Sequence, residues 1–300
     1  MNISVDEGQL NTDRWSAFDL FIRAVLNNEY PYNLKDHLGQ TSSNLPGLFF
    51  VGLPFYLLGD IGLLQPFVFL LSCMFLYKTK ITFSNKLMIL FLLLMSPAYM
   101  WEIVGKSDLM SNLILLILFM CFWDHKFNKN YFKNTILLAF FCAFFTLTRG
   151  IVVIPLTLFL FHDFVKSEKL VKFKFILFYV FFVFIISLPV LLTLPDMLTV
   201  IEHNPFNHQT RYAPKLLQLI FIILPFWFST KVKTFMHVLY FSFLLLALLL
   251  FLTFFINVLE EGFESNLYGS LFDISYFGMI IPFAIILMVQ SLNKKNTMHA

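Results

Sequence analysis

The sequence predicts an all-α polytopic membrane protein folded as a single membrane domain. Three observations lead to that class. Of 300 residues, 59% are hydrophobic and 13% are charged, whereas a soluble domain carries about 25% charged residues. The mean hydropathy is +0.78. Apolar runs long enough to cross a bilayer recur along the whole chain. Division into three stretches follows: an outer loop with interfacial helices over 1–60, a transmembrane bundle over 61–293, and a cytoplasmic tail over 294–300.

Met1–Pro46 is the longest polar stretch, and chemistry has few other places to sit. Met1 is followed by polar sequence, so no signal peptide is expected and the first insertion signal is internal. Residues 13–27 read as an amphipathic helix. Trp15, Phe18, Ile22, Val25 and Leu26 share one face, and Ser16, Asp19, Arg23 and Asn27 the other. It is too short and too charged to span, so an interfacial position is expected, with Pro31 ending it. Residues 33–45 read as loop. Residues 47–58 are apolar but short, closed by Pro54, Gly59 and Asp60, which suits a re-entrant or interfacial segment.

Nine spans follow, at about 62–77, 87–101, 109–123, 134–147, 151–164, 174–194, 214–229, 234–257 and 274–292. Several fall short of the ~20 residues a perpendicular helix needs. Charge sets the topology. Loops 78–86, 124–133, 165–174, 230–233 and 293–300 hold 14 of the 21 basic residues, all lysine. The opposite side holds 15 of the 18 acidic residues. The lysine-rich side is therefore expected to be cytoplasmic, with the C-terminus. The N-terminus, the 195–213 loop and the acidic 260–273 loop are expected outside, in a bacterial inner membrane.

All four arginines, Arg14, Arg23, Arg149 and Arg211, fall on that outer side, where positive charge is disfavoured. A guanidinium fork matches phosphate; pairing with outer carboxylates is the alternative. Asp6, Glu7 and Asp13 stand beside the first helix, where a carboxylate can serve as general base for an acceptor hydroxyl or form an ordinary solvated acidic loop. Glu102 and Asp108 flank Lys106 in a short outer turn, and Asp108 reads equally as the cap of the next helix. Arg149, between two short apolar runs, is a functional candidate by its place in the membrane, with snorkelling to headgroups as the alternative. His203 and His208 share the 195–213 loop at a spacing that matches no standard zinc site. Cys73, Cys121 and Cys142 lie inside apolar runs as small core residues. No phosphate-cradling glycine loop points to a nucleotide-driven pump, and no basic tract points to nucleic acid.

Asp13 followed by Asn28-Glu29-Tyr30-Pro31-Tyr32, then Asn44-Leu45-Pro46-Gly47-Leu48-Phe49, resembles the first outer loop of the GT-C superfamily. Glu102 through Asp108 and the Thr148-Arg149-Gly150 step are similar too. These are polytopic glycosyltransferases that use polyprenyl-phosphate-linked sugars. The family's first helix has no counterpart before Asp13, nor has the globular domain of some members after the last span. A member lacking that first helix is thus expected. The resemblance implies sugar transfer from a lipid-phosphate donor to a glycan, lipid or protein acceptor at the outer face. Asp13, or Asp6, would deprotonate the acceptor. Arg149, Arg211 and Arg14 would hold the donor phosphate. Glu7, Glu102, Asp108, His203 and Tyr32 would line the substrate site. Membrane lipid is an expected partner; no cofactor is assigned, and a divalent cation stays open. The competing readings are a transporter or flippase of lipid-linked sugars, which wants broken helices or charge near mid-membrane, and an inactive truncated transferase.

Overall fold

A computed structural model describes residues 12–269 and 271–298, with side chains to residue 292. Asp6 and Glu7 lie outside the described residues. Among these residues the fold is all-helical. The chain runs α1 (Arg14–Leu26), α2 (Pro46–Leu57), α3 (Leu64–Lys78), α4 (Phe83–Met95), α5 (Pro97–Val104), α6 (Leu109–Phe127), α7 (Thr135–Thr146) and α8 (Val153–Lys166). It continues through α9 (Lys169–Leu191), α10 (Met197–Glu202), α11 (Pro205–Gln209), α12 (Lys215–Ser229), α13 (Phe235–Glu261), α14 (Phe263–Leu267) and α15 (Ile281–Met298). An isolated antiparallel bridge, Lys35 to Thr41, closes the loop before α2.

Every segment expected to span is helical, but they differ in reach. Five are long and apolar enough to cross a membrane: Ile61–Lys78, Leu109–Phe127, Lys169–Leu191, Phe235–Glu261 and Ile274–Leu292. The segment expected as one span over 87–101 is broken. Pro97 starts α5, Ser96 before it is extended, and α4 and α5 meet at 58°, because proline excludes the preceding residue from the helical region. Counted together, α4 and α5 are long and apolar enough for a sixth candidate span, broken or re-entrant. Tyr131–Thr146 and Lys215–Ser229 are apolar helices of fewer than 18 residues.

α6 joins the two cores. Leu113, Leu116, Met120 and Trp123 pack with α7, α8 and α13. Met110 and Ile114, on the same helix, pack with α1, α2 and α3. α9 is the opposite case: most of it faces outward, and it leans on α7 and α2.

α1 ends by its own chemistry, before Pro31 can act. Asn28 takes φ +58°, Glu29 N–H donates to Ala24 O at 2.8 Å and Asn28 N–H to Val25 O at 3.2 Å. That pair of bonds with a left-handed residue is a Schellman stop, which asparagine tolerates. The buried face of α1 is Phe18, Phe21, Ile22 and Val25. Leu26, expected on it, is exposed, and Ser16, expected on the polar face, is buried against His37 at 2.6 Å. α1 is seated on α2 at Gly52, where a Cβ would come within 2.5 Å of the Phe18 ring. Gly47 lets α2 approach α7 as closely: its N–H donates to Leu147 O at 2.8 Å.

Candidate functional site

The polar loops at one end of the bundle close on one another, and they are those expected outside. Their centre is a buried ion pair. Asp108 stands at the N-cap position of α6 but makes no capping bond. Glu102, on α5, caps α6 instead: its two carboxylate oxygens accept from Met110 N–H and Ser111 N–H, each at 2.6 Å. The two orphan amides and the positive end of α6 draw the carboxyl to this position, while burial outweighs them and pushes its pKa up to about 8. Asp108 is thereby released to meet Arg149.

Arg149 and Asp108 are 4% and 3% exposed. Arg149 Nε donates to Asp108 Oδ2 at 2.9 Å, and Nη2 donates to Oδ1. Nη2 also donates to Asn44 Oδ1 at 3.2 Å. Asn44 in turn donates to Ala17 O at 3.2 Å and accepts on its main-chain oxygen from Tyr32 Oη at 2.8 Å. Burial, then Tyr30, hold the Tyr32 phenol above its ordinary range. Asn112 Nδ2 donates to Thr148 Oγ1 at 2.9 Å beside the pair. Five separate stretches of chain are pinned here by buried polar bonds, which are costly to leave unmade.

The 195–213 loop is latched onto this knot. Gln209 Oε1 accepts from Gly150 N–H at 3.0 Å, and Gln209 Nε2 donates to Ser43 O at 2.8 Å. His208 Nε2 meets Thr41 Oγ1 at 3.0 Å. Burial, then Arg211 and His203, push the His208 imidazole below its ordinary range. Arg211 itself is exposed, with its guanidinium 4.6 Å from the centre of the Tyr212 ring.

Arg14 closes the third side. It is paired with Asp273, from the stretch before the last span, and lies 5.2 Å from the Tyr276 ring centre. Burial opposes its charge, yet Tyr276, Asp13 and Asp108 together hold the guanidinium above its ordinary range. Asp13 is half-buried at the start of α1, and its side chain makes no capping bond. Among the described residues its main-chain oxygen accepts from Ala17 N–H at 2.7 Å and Ser16 Oγ at 3.1 Å.

The structure therefore brings Asp13, Arg14, Asp108, Arg149, Glu102 and Tyr32 to one end of the bundle. His203 and Arg211 sit on the loop latched over it. The expected phosphate ligand Arg149 is already engaged by Asp108 and Asn44, and the expected cap Asp108 has yielded that task to Glu102. Among the described residues no group of three or more His, Cys, Asp or Glu comes together to hold a metal ion.

A cavity of about 570 Å³ opens beside this knot, lined by Trp15, Asp19, Tyr56, Asp60, Ile61 and Lys106. Lys106 Nζ donates to Asp60 Oδ1 at 2.8 Å, and Asp60 Oδ1 also accepts from Gly62 N–H at 2.8 Å. Lys106 holds φ +47°, a left-handed conformation that costs a side-chain-bearing residue energy and collects at functional positions. Burial draws its ammonium below the ordinary range. Asp19 and Asp60 were legible only as a helix-face residue and a turn residue; what joins them is tertiary. Compared with known proteins, the chain matches no family model, no curated protein and no solved structure.

Proposed function

We propose that the chain is a GT-C-type membrane glycosyltransferase. It moves a sugar from a polyprenyl-phosphate donor to an acceptor hydroxyl at the outer face of a bacterial inner membrane. The observation that carries the reading is the Asp13 carboxylate. It is half-buried, uncommitted to capping and set beside Arg14 at the polar end where the outer loops meet. A carboxylate placed where the outer loops meet and not spent on a helix cap is a fit general base. Asp6 is the reserve for that role.

In this reading the chain crosses the membrane nine times, with the short helices shielded inside the bundle. α1 and α2 lie at the outer interface, the N-terminus is outside and the C-terminus cytoplasmic. The mutual contacts of the arginine- and carboxylate-bearing loops support one common side for them. Arg149 positions the loops through Asp108 and Asn44. Arg211, exposed on the latch loop, reaches the donor phosphate, and Arg14 steadies Asp13.

The break between α4 and α5 is the feature that favours a flippase, since transporters build sites from broken helices. Asp13→Asn separates the two. The substitution is nearly isosteric and removes basicity. Transfer from a polyprenyl-phosphate sugar by the purified chain should fall about 10²-fold or more, with helical content by circular dichroism unchanged. Full transfer by Asp13→Asn together with loss in Asp6→Asn moves the base to Asp6. Full transfer by both ends the general-base reading.

A further inference from the structure

The cavity beside the buried ion pair has a composition that selects its ligand. Its volume, about 570 Å³, lies within the ~300–1,000 Å³ of small-ligand sites. Trp15 and Tyr56 give it flat aromatic wall, and Ile61 adds apolar surface. Asp19, one helical turn after Trp15, and Asp60 give it carboxylate acceptors. Its lysine is already bonded to Asp60. Asp60 is paired with Lys106, and Asp19 stands in the field of Arg23, so the lining has no excess of positive charge to draw a free phosphate or lipid phosphate. A purely apolar ligand would cover the half-buried Asp19 carboxylate without offering it a donor.

We propose that this cavity is a saccharide-binding site that receives the acceptor of the transfer. A pyranose presents C–H faces to aromatic rings and vicinal hydroxyls to carboxylates, which accept charge-assisted hydrogen bonds. The naming of the sugar as acceptor, in place of donor, rests on the transferase reading; the binding of a saccharide does not. Placement agrees with that role. Trp15 stands in the first turn of α1 and Asp13 at its N-cap, so the cavity and the proposed base share one end of the bundle. The donor phosphate, by contrast, is assigned to the Arg211 side. The left-handed Lys106 turns its amine onto Asp60 and so holds that carboxylate at the cavity wall. Lys106 is thus a positioning residue for Asp60.

The test uses the full chain purified in detergent, without donor. Methyl α-glucopyranoside, methyl α-mannopyranoside and methyl N-acetyl-β-glucosaminide are titrated while tryptophan fluorescence and saturation-transfer NMR are recorded. At least one glycoside is expected to bind saturably, with the fluorescence change lost in Trp15→Phe. Asp19→Asn, at a half-exposed position, should fold normally and bind about 10-fold more weakly or worse, the scale of a lost charged hydrogen bond. Tyr56→Ala should weaken binding as a second, independent variant. No saturable binding by any of the three overturns the proposal, as does tighter binding of choline than of every glycoside, or wild-type affinity in both variants. Glycoside binding without turnover of any polyprenyl-phosphate sugar leaves the cavity standing and removes the transferase reading. Turnover whose acceptor KM is unmoved by Asp19→Asn and Tyr56→Ala does the reverse.

Discussion

Removing either partner of the Arg149–Asp108 pair should unfold the polar end of the molecule far more readily than removing both. The guanidinium and the carboxylate are almost fully buried, and the pair shares two bonds, Nε to Oδ2 at 2.9 Å and Nη2 to Oδ1. Arg149→Met leaves Asp108 as an uncompensated buried charge, at a cost of ~3–5 kcal/mol. Asp108→Leu leaves the guanidinium stranded at a similar cost. The double variant replaces both charges by apolar groups, which is nearly neutral for the pair itself. What remains is the bond from Arg149 to Asn44 at 3.2 Å, worth ~1 kcal/mol. The double variant should therefore lose only ~1–2 kcal/mol, and the coupling energy should exceed ~2 kcal/mol. Arg149→Lys keeps the charge but cannot serve both Asp108 oxygens and Asn44 together, so it should fall between wild type and Arg149→Met. The assay is equilibrium unfolding in mixed micelles followed by circular dichroism. Additive losses, with coupling under ~0.5 kcal/mol, would refute the reasoning. A variant Arg149→Met that is as stable as wild type yet fails to bind donor would return Arg149 to the phosphate.

Glu102→Gln keeps the shape but presents a single acceptor to two α6 amides, so it should cost ~1–3 kcal/mol and speed hydrogen exchange at Met110 and Ser111; unchanged exchange there would count against the cap. Gly47→Ala drives a Cβ to 2.7 Å from the Phe144 main-chain oxygen and 2.8 Å from that of Leu147; a loss of ~1–3 kcal/mol is expected, and a stable variant would mean α2 sits further from α7. His208 titrates below its ordinary 6.5 because burial, then Arg211 and His203, disfavour its charge. Between 6.5 and the lower folded value the unfolded loop binds more protons, so the latch loses stability as pH falls through that window. Protection factors in 205–213, with the intrinsic pH dependence of amide exchange divided out, should fall on going from about pH 7.5 to about pH 5 by this linkage, and His208→Gln should abolish the dependence; an equal fall in His208→Gln would assign it to another group.

The helices were legible because each writes its own periodicity, but two of their breaks were not. Pro97 lay within an apolar run read as one span, and apolarity outweighed it in that reading; the 58° bend shows that the backbone rule of the residue before proline prevailed. The end of α1 was assigned to Pro31, the stronger breaker, although Asn27-Asn28 carried the nearer signal for a left-handed stop. Which carboxylate caps α6 was not local at all. Asp108 has the right position in sequence, but Glu102 reaches two amides across the turn while Asp108 answers Arg149, 41 residues away in sequence. The cavity was invisible for the same reason: α1, the Asp60 turn and Lys106 meet only in three dimensions, and Trp15 and Asp19, which line it together, read as opposite faces of an amphipathic helix.

The central claim, chemistry at the Asp13 end of the bundle, is tested most directly in proteoliposomes carrying a polyprenyl-phosphate hexose labelled in the sugar, with extracted envelope glycans and lipids as acceptors. The account predicts that label leaves the polyprenyl phosphate and appears on an acceptor, and that Asp13→Asn lowers this rate about 10²-fold. Label that stays on its lipid and only crosses the bilayer, at equal rates in wild type and Asp13→Asn, would contradict it.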